Sequence, residues 1–167
     1  MGADDVMVRA ATPRDFDAVG ALTVEVYVGE GFVRAESPYA AELADTARRA
    51  ADADVLVAEH EGVVIGSLTV AAPGTPFADV ARPGELEFRM LAVAKRARGL
   101  GAGTALVRTV IDRAAAEGYD AVVLTTMLPM VDALRIYERL GFVAVPERDW
   151  ATPMGAPLRV YRLALGA

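Results

Sequence analysis

The segment Phe88-Arg89-Met90-Leu91-Ala92-Val93-Ala94-Lys95-Arg96-Ala97-Arg98-Gly99-Leu100-Gly101-Ala102-Gly103-Thr104-Ala105-Leu106 decides how this chain is read. Phe88 to Val93 is a largely apolar run and predicts a strand. A basic turn follows, then glycines at 99, 101 and 103, and at once a helix whose apolar face carries Leu106, Val107, Val110 and Ile111. A helix N-terminus holds unpaired backbone N–H groups and a partial positive charge. Glycines let an anion approach those groups closely, so the turn suits a phosphate or pyrophosphate. Arg96 and Arg98 add charge beside it, and a guanidinium can grip phosphate with two donors.

Two phosphate motifs fail here. The dinucleotide pattern G-x-G-x-x-G would need glycine where the chain has Thr104, or Leu106 if counted from Gly101. The P-loop needs Gly-Lys followed by Ser or Thr, and that triplet is absent. What fits is R-x-x-G-x-G, with Arg98, Gly101 and Gly103.

Composition narrows the chemistry. At 167 residues one domain, residues 1–167, is the expectation, and the 54% hydrophobic content argues against disorder. No apolar stretch approaches the ~20 residues that span a bilayer, and Met1-Gly2-Ala3-Asp4-Asp5 lacks the basic and apolar regions of a signal peptide. Val6 stands where a myristoylation signal needs Ser or Thr. A cytoplasmic protein off the membrane is the expectation. The chain has no cysteine and one histidine, His60, so thiolate nucleophiles, thiolate metal sites and a His-rich metal centre are excluded, and no metal is expected. A net charge of −6 disfavours nonspecific nucleic-acid binding.

Read in order, Val6 to Ala10 is a strand. Thr12-Pro13 opens a helix that ends near Gly29, with Phe16, Val19, Leu22 and Val26 on one face. Ser37-Pro38 opens a second helix with Tyr39, Leu43, Ala47 and Ala50 inward and Glu42, Asp45, Arg48 and Arg49 on the surface. Asp54 to His60 and Val63 to Ala71 form a hairpin around Glu61-Gly62, which leaves His60 on the surface. Ala72 to Gly84 is a Pro- and Gly-rich loop, Leu86 to Val93 a strand, and Gly101 to Glu117 the long helix, closed by Gly118. Ala121 to Met127 reads as a buried strand, and a helix runs from Pro129 or Met130 through Leu140. Phe142 to Val145 is a strand, 146–157 a loop, and Leu158 to Leu165 a last alternating strand. The order β-α-α-β-β-β-α-β-α-β-β predicts a mixed α/β (α+β) sheet crossed by helices, the strands flanking the long helix being parallel.

Three segments together resemble the GNAT N-acetyltransferases. Glu87-Phe88-Arg89-Met90-Leu91-Ala92-Val93 is similar to the family's fourth strand, Arg98 to Thr104 to its acyl-coenzyme A loop, and Tyr137-Glu138-Arg139-Leu140-Gly141-Phe142 to its Y-E-x-x-G-F segment. They occur in the family's order, and the element order fits from near residue 6 to residue 165. The resemblance implies a central mixed, mostly antiparallel sheet splayed between strands 4 and 5. The acyl-pantetheine arm of acetyl-CoA fills that wedge and pairs with strand backbone. The implied cofactor-binding residues are Leu91, Ala92 and Val93, through their backbone, and Arg98, Gly99, Leu100, Gly101, Ala102, Gly103 and Thr104 for the pyrophosphate. N–H groups of the Leu91–Val93 segment would polarise the acetyl carbonyl.

By the same resemblance Glu87 is the general base that takes the amine proton, directly or through water, with Glu85 a competitor in the same segment. The plain alternative is a Glu87 that faces solvent or pairs, for example with Arg89 two residues along the same face. Tyr137 is the acid that protonates the departing thiolate; the alternative is a core tyrosine. Where many members carry asparagine, the chain has Met130, so no side-chain role transfers there. Trp150 and Tyr161 are either acceptor-pocket or core aromatics. The implied reaction is direct acetyl transfer in a ternary complex, from acetyl-CoA to a primary amine on a small molecule or peptide, with coenzyme A as product. Amino acids, polyamines, aminoglycoside-like drugs and protein N-termini stay open as acceptors, as does a longer acyl chain. A homodimer through exposed sheet edges or C-terminal strands is a family habit. The second hypothesis is a non-catalytic acyl-CoA-binding module or sensor, which would keep the glycine turn but need neither Glu87 nor Tyr137.

Overall fold

The computed structural model describes residues 6–166. The N-terminal features at residues 1–5 lie outside the described residues. Strand β1 (Val6–Ala10) leads through a 3-10 turn, Pro13–Asp15, into helix α1 (Phe16–Tyr27). Asp15 sets this corner: its carboxylate accepts from the Thr12 amide at 2.7 Å and from Arg9 at 2.7 and 3.0 Å. The single helix expected after Ser37-Pro38 is two, α2 (Pro38–Ala44) and α3 (Thr46–Asp52). Asp45 breaks it by leaving helical geometry (φ −93, ψ 73) and capping α3, its carboxylate accepting from the Arg48 amide at 3.1 Å. The break resets the inward face to Ala40, Leu43, Thr46 and Arg49, so Arg49 is buried and Ala47 exposed, the reverse of the sequence expectation.

Strands β2 (Asp54–His60), β3 (Val63–Ala71) and β4 (Glu85–Val93) follow, then the 3-10 turn Lys95–Ala97 and α4 (Ala102–Ala116). The chain continues through β5 (Ala121–Thr126), α5 (Val131–Arg139) and β6 (Val143–Ala144). The stretch expected as a loop at 146–157 holds a 3-10 turn, Pro146–Arg148, and a short β7 (Trp150–Ala151) before β8 (Pro157–Ala164). The sheet order is β1-β2-β3-β4-β5-β8-β6, with β7 paired to β8. Every pairing is antiparallel except β4 with β5, which are parallel and joined by the α4 crossover. Leu106, Val107 and Val110 of α4 are fully buried and pack with Leu68, Leu86, Phe88 and Val122 of the sheet. Val19, Val55 and Val57 form a smaller cluster. Among the described residues no helix is long and apolar enough to cross a membrane, and no group of three or more His, Asp or Glu is set to hold a metal ion.

Candidate active site

The site begins where β4 and β5 stop pairing. Their ladder runs from Glu85↔Ala121 to Phe88↔Leu124 and goes no further, although β4 continues to Val93. Beyond Phe88 that edge of β4 has no strand partner among the described residues, as a splayed sheet requires. A cavity of about 630 Å3 opens there. It runs from Leu91 and Val93, past Val26 and Phe32, to the glycine turn and the first turn of α4, and is closed on the far side by Met130 and Ile136.

The turn's geometry follows from its glycines. Gly101 caps α4 at φ +82, a left-handed conformation that a side chain adopts at a cost. Gly103 is a close-packing position: a methyl there would lie 2.7 Å from Ile136 Cδ1 and 3.4 Å from Val93 Cγ2, so α4, α5 and β4 converge on it. Arg98 braces the turn. Its Nη2 donates to Glu30 Oε2 at 2.5 Å and to the Val93 carbonyl at 3.3 Å, and Nη1 lies 3.6 Å from Asp132 Oδ2. With Arg98 committed to two carboxylates, the anion-binding capacity of the turn lies chiefly in its backbone amides.

Of the implied cofactor residues, Leu91, Val93, Arg98, Gly99, Gly101, Ala102, Gly103 and Thr104 border the cavity. Ala92 and Leu100 do not: Ala92 is buried opposite Ser67 of β3, and Leu100 packs against the core. Met130 lines the cavity as an apolar wall.

Glu87 and Tyr137 stand on opposite faces of β4. Glu87 is 0% exposed and lies under the 72–84 loop, its Oε1 accepting from the amides of Val80 (2.9 Å) and Ala81 (3.0 Å). Its Oε2 is buried with no hydrogen-bond partner among the described residues. Burial pushes its carboxyl above the ordinary range, against the pull of the loop amides. Arg89 does not pair with it; its Nε lies 3.2 Å from Asp79 Oδ2 and its Nη1 donates to the Phe77 carbonyl at 3.2 Å. The competitor Glu85 is held by Arg148 at 2.8 and 2.9 Å and Arg162 at 2.8 Å, so its lone pairs are spent.

Tyr137 packs with Phe88 and Phe142, ring centroids 5.8 and 5.9 Å away, on the other face. Burial pushes its phenol well above the usual value, so it is protonated at neutral pH. Of the C-terminal aromatics, Trp150 is partly exposed and its indole N–H donates to Thr125 Oγ1 at 3.3 Å, whereas Tyr161 packs against the main core. His60 is half-buried and its Nδ1 has no partner among the described residues.

Glu30 and Asp132 line the cavity and Tyr27 donates to the Leu91 carbonyl, and none of the three was a candidate from sequence. Glu30 and Asp132 carried no signal, being ordinary acids in a turn and a first helical turn. Tyr27 follows Val19 and Val26 on the buried face of α1, and that spacing did contain it.

This cleft-and-turn arrangement has known counterparts. Residues 21–142 match the acetyltransferase (GNAT) family, and the chain belongs to that family. N-acetyltransferase 8 of Mus musculus is 40% identical over 86 residues, which cover 52% of this chain and 37% of that protein. The matched region thus spans little more than a third of the curated relative. An N-acetyltransferase from Kribbella flavida is 28% identical, with a TM-score of 0.71 over 97% of this chain and 99% of that one. A GNAT family acetyltransferase from Brucella melitensis in complex with acetyl-CoA, 22% identical, shares the fold with a TM-score of 0.65 over 97% and 89%.

Proposed function

We propose that this protein, as one domain across residues 1–167, transfers the acetyl group of acetyl-CoA directly to a primary amine. The observation that carries the reading is the coincidence of the β4–β5 splay with a cavity that ends on the glycine-capped N-terminus of α4. The turn amides from Arg98 to Thr104 hold the pyrophosphate. The free edge of Leu91 to Val93 receives the pantetheine arm and donates N–H groups to the acyl carbonyl.

In the step itself the amine nitrogen forms the new C–N bond and the C–S bond breaks. The amine proton passes to Glu87 Oε2, directly or through water, and the thiolate takes its proton from the Tyr137 phenol. Glu87 suits a base because one oxygen is fixed and the other has no partner. The chain supplies no thiol for an acyl-enzyme, so transfer from one substrate to the other in a ternary complex is the simplest route.

A thermal-shift titration with acetyl-CoA, coenzyme A and NAD tests the reading. A ligand that binds only the folded state at ~100 Kd adds about 2.7 kcal/mol, so acetyl-CoA should raise the Tm and NAD should not. No response to either coenzyme A species at millimolar concentration overturns the site. Binding without consumption of acetyl-CoA across a panel of amines would leave a binding module in place of an enzyme.

A further inference from the structure

The β4 backbone is kinked where the proposed acyl carbonyl would meet it. Met90 has φ +59, a left-handed conformation that side-chain-bearing residues rarely adopt. The pairing with β3 steps from Thr69↔Arg89 to Ser67↔Ala92, so Met90 and Leu91 together oppose Leu68, a bulge. Strain of this kind persists only where the surroundings hold it.

Two side chains from two helices hold this one. Arg49 of α3 is 1% exposed; its Nη1 donates to Met90 Sδ at 3.1 Å and to the Leu43 carbonyl at 3.1 Å, and its Nη2 to Thr46 Oγ1 at 3.4 Å. Its Nε has no acceptor, and among the described residues no carboxylate pairs with it. A guanidinium sealed from water without a counter-charge is costly, and an apolar residue of similar volume would stabilise the fold better. Through these bonds Arg49 ties Met90 to the corner between α2 and α3. The second side chain is Tyr27 of α1, whose phenol donates to the Leu91 carbonyl at 3.1 Å.

The edge chemistry follows. Ala94 N–H donates to the Ile65 carbonyl at 2.8 Å, and antiparallel alternation then directs the Val93 peptide groups away from β3, toward the cleft. The Leu91 carbonyl is taken by Tyr27 and the Val93 carbonyl by Arg98. With its carbonyls occupied by side chains, this edge presents donors, which is what a developing negative charge on an acyl oxygen needs.

We propose that Tyr27 and Arg49 are positioning residues for acyl transfer: they lock the kink at Met90–Leu91 and so hold the β4 N–H groups against the acyl carbonyl. Neither touches the reacting atoms. The proposal rests on the reading that acyl-CoA enters the β4–β5 cleft.

The test uses acetyl-CoA labelled with carbon-13 at the thioester carbonyl, followed by difference infrared spectroscopy. Tyr27→Phe removes only the hydroxyl. Met90→Leu removes the sulfur acceptor and leaves Arg49 intact, which avoids stripping a buried charge from the fold. Wild-type protein should lower the carbonyl stretch on binding. Both variants should bind coenzyme A within about twofold of wild type, return the stretch toward its free value, and lose about tenfold in kcat at little-changed KM for acetyl-CoA. Variants that bind acetyl-CoA and keep the wild-type stretch overturn the proposal, as does a wild type that binds without shifting it. A wild type that binds no acetyl-CoA overturns the cleft reading first, and the inference with it.

Discussion

Glu87 has one oxygen committed and one free, and the two proposed roles for it divide along that line. As a pin it needs only Oε1, which holds the Val80 and Ala81 amides. As a base it needs the ionised carboxylate and Oε2. Glu87→Gln separates them, because a carboxamide oxygen accepts from the same two amides but cannot take a proton at neutral pH. We expect the variant to keep its urea midpoint and its coenzyme A affinity while kcat falls by about 10²-fold or more. Since burial raises this carboxyl, the wild-type rate should fall as pH drops through the raised value, and the variant's residual rate should not follow it. A Gln variant with full turnover would make Glu87 the pin of the 72–84 loop. Tyr137→Phe is the matching acid-side experiment: the ring stack with Phe88 and Phe142 stays, so stability and binding should hold while turnover drops.

At the scale of elements, the glycine turn and α4 make the sharpest claim. Gly101 sits at φ +82 on the cavity wall, so Gly101→Ala forces a methyl-bearing residue into the left-handed region. The change should cost about 1–2 kcal/mol of stability in urea unfolding and about tenfold in coenzyme A affinity. A variant that loses stability but binds normally would move the anion site off this turn. The same scale shows what could be read from sequence. Strands β1, β2 and β3 sit where alternation and the Glu61-Gly62 turn put them, and α4 begins one residue after Gly101. These signals are local, a period or a turn residue. The break between α2 and α3 was harder, because Asp45 reads equally as a solvated helix residue and as a cap. Once the break is known, the spacing of Ala40, Leu43, Thr46 and Arg49 shows why an arginine points inward. The bulge at Met90 left no trace, since methionine in an apolar run gives no hint of positive φ. The side chains that contact it, Tyr27 and Arg49, are distant in sequence, and only the folded chain brings them together.

For the whole molecule, the cleft that admits a ligand is also a weakness, because β4 and β5 share a ladder of only four residue pairs. Glu85 reinforces that junction. Its carboxylate on β4 receives Arg148 of the 146–148 turn at 2.8 and 2.9 Å, Arg162 of β8 at 2.8 Å and the Arg82 amide at 3.0 Å, so it ties the two sides of the sheet together below the splay. Burial by itself would raise this carboxyl; the hydrogen bonds from Arg148, Arg82 and Arg162 outweigh it and bring the pKa down to about 2 from an ordinary 4.5. A depressed carboxylate stabilises the fold in full above its unfolded value and loses that contribution as pH falls from 4.5 through 2. The shift corresponds to about 3 kcal/mol. Glu85→Gln should therefore lower stability at pH 7 by about that amount or more, since it also leaves Arg148 without its counter-charge. The gap between wild type and variant, measured by urea unfolding across pH 7 to 2.5, should narrow on the acid side as the wild-type carboxylate takes up its proton. A gap that stays constant with pH would mean that Glu85 acts at the junction by packing and not by charge.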